Sequence, residues 1–191
     1  MKTRSAILLA ILASALVICW AVYLYGWSLA GLQATTRFSG RLSLGIFAAI
    51  FLLYPKNEER LTRLFSTDFF LSFAIVHGIH LVELLMYVTR SGIELIPTRL
   101  AGGFLAYALI FAMPILRSRM MQGKLSTDRF RMISYVYLFY VWFVFFMTYL
   151  ARVRGTFPNA GGTYTEHMVL MGIVVTLLLV KLVQAFRSSR L

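Results

Sequence analysis

Two histidines and a glutamate recur at three-residue intervals in a run that is otherwise apolar. They are His77, His80 and Glu83, within DFFLSFAIVHGIHLVELLMY from Asp68 to Tyr87. Ionisable groups are costly in hydrocarbon, so their presence in such a run points to function. At about 100° per residue, Ser72, His77, His80, Glu83 and Tyr87 share one helical arc of roughly 140°. The remaining arc is Leu, Phe, Ile and Val. With a rise of about 1.5 Å per residue, the two imidazoles lie about 4.5 Å apart along the axis, on the same side. They cannot ligate one iron from opposite faces, and they are too close to serve two stacked haems. The pair can give one axial ligand to a single haem, bind one non-haem metal ion, or hydrogen-bond within a bundle.

His167 is the third and last histidine, beside Glu166. It could oppose His80 across a bundle as second axial ligand, or stand solvated at an interface. His80 sits at the centre of the polar arc and His77 at its edge. Counted from the outer helix ends, His80 and His167 differ in depth by roughly 9 Å, and His77 and His167 by roughly 13 Å. The expected ligand pair, if haem is present, is therefore His80 and His167, with His77 packing or hydrogen-bonding beside the ring. Glu83 calls for a partner inside a membrane. Arg41 is the candidate, and it could equally neutralise a haem propionate. No P-loop, H-E-x-x-H or Ser-His-Asp pattern is present.

These residues must be positioned by membrane helices. The chain has 191 residues, 60% of them hydrophobic and only 14% charged, with a mean hydropathy of +0.78. A soluble domain of this length needs far more charge to cover its surface. The reading is an all-α, polytopic helical bundle forming a single integral membrane domain over residues 1–191. Six spans are expected, at about 5–25, 38–54, 68–88, 100–115, 132–150 and 165–185. Ala13-Ser14-Ala15 could be a signal-peptide cleavage site, but the apolar run continues to Trp27 and favours a retained first helix. A polar loop through Thr35, Thr36 and Arg37 is expected before the second span. KNEERLTRLFS reads as a charged loop or short surface helix. Glu94 and Pro97 fall in the loop after the third span. Pro114 should kink or end the fourth, and Ser126 or Thr127 could cap the fifth.

The net charge of +12 sits in short loops, which fits topology and anionic headgroups rather than nucleic acid. With Lys181 counted to the C-terminus and Arg41 to the loop before span two, the two termini and the loops after spans two and four carry 13 of the Lys and Arg residues, against 6 in the other three loops. Both termini are therefore expected on the cytoplasmic side. The short loops suggest a bacterial inner membrane. Cys19 is alone, so no intrachain disulfide can form.

The blocks TTRFSGRLSLGIFAAIFLLYP, SFAIVHGIHLVELL and LAGGFLAYALIFAMP resemble the ferric-reductase-like transmembrane domain. That family includes the membrane portions of ferric reductases, NADPH oxidases and the haem subunit of the bacterial methionine sulfoxide reductase system. The resemblance covers roughly Thr35 to Tyr149. It rests on an R-x-x-G-R start, a histidine helix after the second span and a six-helix layout. It implies b-type haem held by histidines, electron transfer across the membrane, and His77 or His80 as a ligand. The family's opposing histidine comes from the fifth span, where this chain has Ser134, Tyr135 and Tyr137. Either His167 substitutes, or haem is weakly held, or none binds. At most one haem b is expected, with no flavin or nicotinamide site. Electrons would come from a separate donor protein or from quinol. The expected function is a small cytochrome-b-like electron-transfer protein or haem-binding subunit. The alternative is a non-catalytic bundle: a scaffold, assembly factor or transporter-like protein.

Overall fold

The computed structural model describes residues 2–65, 68–93, 97–156 and 161–188; Glu94 and Arg190, which entered the loop and charge readings, lie outside them. Among the described residues there are seven helices and no strand: α1 Lys2–Tyr25, α2 Leu29–Leu53, α3 Glu58–Phe65, α4 Phe69–Ser91, α5 Pro97–Met121, α6 Thr127–Val153 and α7 Tyr164–Ser188. All but α3 are long and apolar enough to cross a membrane. The chain is an all-α integral membrane protein.

α2 packs against α1, α4 and α7; α5 packs against α4 and α6; and α6 packs against α7. The helices α2, α4, α5, α6 and α7 therefore close into a ring, with α1 outside it against α2 and α4. Aromatic side chains fill the ring. Phe47 meets Phe145 at 5.2 Å between centroids, Phe51 meets Phe139 at 5.5 Å, and Phe70 meets Tyr137 at 5.7 Å. The outside is apolar too, with Leu8, Leu12 and Leu16 exposed on α1, Phe104 on α5 and Val183 on α7. Exposed aliphatic and aromatic surface of this kind suits acyl chains, and helices satisfy their backbone polar groups internally.

Between lipid-soluble helices the hydrophobic effect gives little association, so hydrogen bonds and close packing hold the ring. Four of its five joints carry a polar clasp. Gln33 Nε2 donates to the Tyr87 hydroxyl (2.9 Å) between α2 and α4. The Tyr140 hydroxyl donates to the Gly102 carbonyl (3.0 Å) between α6 and α5. Trp142 Nε1 donates to the Val174 carbonyl (2.9 Å) between α6 and α7. Lys181 Nζ donates to the Tyr54 carbonyl (2.6 Å), joining α7 to the end of α2. At the fifth joint, Gly78 lets α4 approach α5; a Cβ there would lie 3.3 Å from the Phe111 ring.

The helices run beyond the expected spans. α2 begins at Leu29, so the stretch around Thr35–Arg37 is helix, not loop. Its hydroxyls are buried because they bond back to the preceding turn, Thr35 to the Gly31 carbonyl and Thr36 to that of Leu32. Pro114 neither ends nor shortens α5, which continues to Met121. α6 starts at Thr127 and so takes up part of the basic loop. Ser126 is its N-cap by position but makes no side-chain capping bond. The charged stretch after α2 is the short helix α3, with Leu61 buried beneath it.

Candidate functional site

α4 starts where Asp68 caps it, accepting from the Leu71 amide at 3.0 Å. This fixes the helix start and so the direction of the polar arc. Ser72, Glu83 and Tyr87 are buried, and His77 and His80 are half-buried. Both histidines face the serine stripe of α2. Ser39 Oγ lies 3.0 Å from His80 Nδ1, and Ser43 Oγ lies 2.5 Å from His77 Nδ1. The spacing explains the match, because serines four apart on one helix face histidines three apart on its neighbour.

Ser39 Oγ also lies 3.2 Å from the Thr36 carbonyl. When His80 carries its proton on Nδ1, Ser39 accepts from it and the ring lone pair is on Nε2; in the other tautomer Ser39 donates to Nδ1. In both histidines it is Nδ1 that the serine engages, and Nε2 is the second ring nitrogen. Imidazoles that bind iron or zinc are commonly held in this way, with one nitrogen anchored and the other available. Gly40 makes the approach possible, since a Cβ there would lie 3.2 Å from His80 Cε1. His77 is more enclosed. Its ring packs against Phe73 at 5.3 Å, Tyr107 at 4.7 Å and Phe145 at 6.0 Å, with His80 at 5.5 Å.

Arg41 does not pair with Glu83. Its Nη2 lies 3.0 Å from Glu166 Oε2, at the far end of the ring where α7 begins. Glu166 is held there by a reciprocal cap: the Thr163 amide donates to Glu166 Oε2 (3.1 Å), and the Glu166 amide donates to Thr163 Oγ1 (3.2 Å). That is a capping box, and T-x-x-E before an apolar run was its sequence signal. Glu83 stays within the α2–α4 contact, 6% exposed, and both its carboxylate oxygens lack a hydrogen-bond partner. It also borders a cavity of about 450 Å³ walled by α1, α2 and α4.

His167 is in the first turn of α7, buried rather than solvated, with Nδ1 unpartnered. α4 and α7 are not packing neighbours, and α2 stands between them. Arg152, near the end of α6, acts electrostatically on both His80 and His167. The far end thus gathers Arg37, Arg41, Arg152, Glu166 and His167 above the histidine pair. Arg37, Arg152, Ser39 and Ser43 carried no role in the sequence reading. The S-x-x-x-S spacing opposite H-x-x-H was a signal for the serines, whereas Arg152 had none.

Among the described residues, no three His, Cys, Asp or Glu side chains converge as a metal-ion site. A non-haem ion at His77 and His80 would have too few protein ligands for the usual sets. A haem iron could be held by histidines alone, and His80 could offer Nε2 while Ser39 holds Nδ1. Comparison with protein-family models, curated proteins and solved structures returned no match.

Proposed function

We propose that this chain is a b-type haem-binding membrane protein of electron transfer, a divergent relative of the ferric-reductase-like transmembrane domain. The observation that carries the reading is the Ser39–His80 contact, which engages Nδ1, so that Nε2 is the nitrogen His80 would offer a metal. His80 and His167, the one histidine on another helix, would hold the haem. Haem b, when bound, supplies one-electron transfer. The chain's own part is to orient the His80 ring through Ser39, to exclude water with the aromatic filling of the ring, and to place cations at the far end. Arg41 acts there through its pair with Glu166. The electron donor is a separate protein or quinol, the termini are cytoplasmic, and the membrane is the bacterial inner membrane.

A non-haem bundle is the second reading, and one observation favours it. The His77 ring is packed among Phe73, Tyr107 and Phe145 as a core side chain would be. Haem content of three variants, each checked for membrane insertion, separates the assignments. His80→Ala and His167→Ala should lose haem and His77→Ala should keep it. Loss with His77→Ala and full retention with His167→Ala would overturn the ligand pair.

A further inference from the structure

We infer that the cavity between α1, α2 and α4 is a binding site for a lipophilic amine, held as its ammonium by the Glu83 carboxylate. Glu83 lines this cavity of about 450 Å³. The residue is 6% exposed, and both its carboxylate oxygens are buried without a hydrogen-bond partner. Among the described residues no ion pair reaches it. Ser39 is close enough to act on the carboxylate but forms no hydrogen bond with it, its Oγ being turned to His80 and the Thr36 carbonyl. Buried acceptors of this kind are normally satisfied, and a carboxylate in an apolar surround calls for a cation.

The rest of the wall defines what that cation must be. Ile18, Val22, Leu32, Ile79 and Met86 make it largely apolar. The two hydroxyls that line it are spent on backbone carbonyls, Ser28 on Tyr25 (3.0 Å) and Thr35 on Gly31 (3.0 Å). An occupant therefore needs an apolar body and an N–H group aimed at Glu83, and an ammonium supplies both the donors and the countercharge. Trp27 borders the same cavity, and an indole attracts cations. Arg90 also borders it but is exposed and stands about 10 Å farther along α4, where water screens its charge. Val82 and Met86 are on the wall and also 57% and 45% exposed, so the cavity can be entered from among the acyl chains. Its volume is that of a small-molecule site.

This inference goes beyond the haem reading and does not depend on it. The test uses the full chain in nanodiscs of phosphatidylcholine at neutral pH, with empty nanodiscs as baseline. The probe is 1-adamantylamine, a compact apolar cage with one primary ammonium, and its binding is measured by equilibrium dialysis. Saturable binding above the baseline is expected, weakened about tenfold or more by Glu83→Gln, which keeps the shape and removes the charge. Ile18→Trp should weaken it similarly by filling the cavity from α1 while leaving Glu83 in place. Glu59→Gln, on the exposed face of α3, should bind as wild type. The neutral 1-adamantanol should bind at least tenfold more weakly than the amine. No saturable binding above the baseline would overturn the inference and leave the cavity to acyl chains. So would wild-type binding in Glu83→Gln or Ile18→Trp of native helix content. Equal binding of 1-adamantanol would overturn the ammonium and point to a hydroxyl donor instead.

Discussion

Replacing Lys181 with methionine should destabilise the bundle, and the magnitude can be worked from its contacts. Lys181 lies in α7, 8% exposed. Its ammonium donates to the Tyr54 carbonyl at 2.6 Å, the acceptor that ends α2. The head also lies 5.6 Å from the centre of the Phe51 ring. Lys181→Met keeps the length of the stem and removes only the donor. A hydrogen bond to a charged group contributes about 1.5–3 kcal/mol, and an orphaned buried acceptor costs about 1–3 kcal/mol; these overlap and are not summed. A cation at a partly buried helix C-terminus adds up to about 2 kcal/mol. Relief of the ammonium's desolvation works the other way, by as much as several kcal/mol. The bond is short and buried, so the loss should prevail by about 2 kcal/mol. For a chain of this size that is roughly 4–8 °C in unfolding midpoint. Thermal unfolding in one detergent at neutral pH, followed by helical signal, measures it. Lys56→Met is the control, because its contact to the Gln184 carbonyl is exposed and its effect should stay within about 0.5 kcal/mol. A midpoint for Lys181→Met equal to or above wild type would show that burial of the ammonium outweighs the clasp.

Two further outcomes concern the start of α4 and its contact with α2. Burial lifts the Asp68 carboxyl above its ordinary value of 3.8, against the opposing pull of the Leu71 amide and Arg117. The folded state therefore holds this proton more tightly than the unfolded state. The Asp68 contribution to stability falls as pH rises from about 4 through the lifted value, then levels off. Asp68→Asn keeps the Oδ1 acceptor, so it should flatten that part of the pH–stability profile; an unchanged slope would contradict the assignment. At Gly40, Val should displace the His80 ring and break its bond to Ser39, given the 3.2 Å approach of even a single Cβ. Faster modification of His80 by diethylpyrocarbonate in Gly40→Val than in wild type reports this, and an equal rate would contradict it.

The six spanning helices were legible because apolar runs of this length have few other fates. Several of their ends were not. The α2 start at Leu29 was hidden because Gln33, Thr35, Thr36 and Arg37 read as loop residues. They are helical because α4 and the preceding turn satisfy them: Gln33 bonds Tyr87, and the threonine hydroxyls bond back. The polar arc of α4 was legible from angular spacing alone. The partner of Arg41 was not, because Arg41 is drawn to Glu166, whose position depends on the cap of α7. Such a pairing, across 125 positions of chain, follows from how the helices pack and leaves no mark in local spacing. The serine stripe of α2 is the opposite case, a local pattern whose meaning required knowing that α2 faces α4.

The central claim is that His80 holds a haem, and an optical spectrum of the purified protein tests it most directly. The protein is produced in haem-replete cells and compared with His80→Ala at equal concentration. The account predicts a Soret band with sharp reduced α and β bands in the wild type, lost in the variant. A featureless visible spectrum from fully inserted wild-type protein would contradict it.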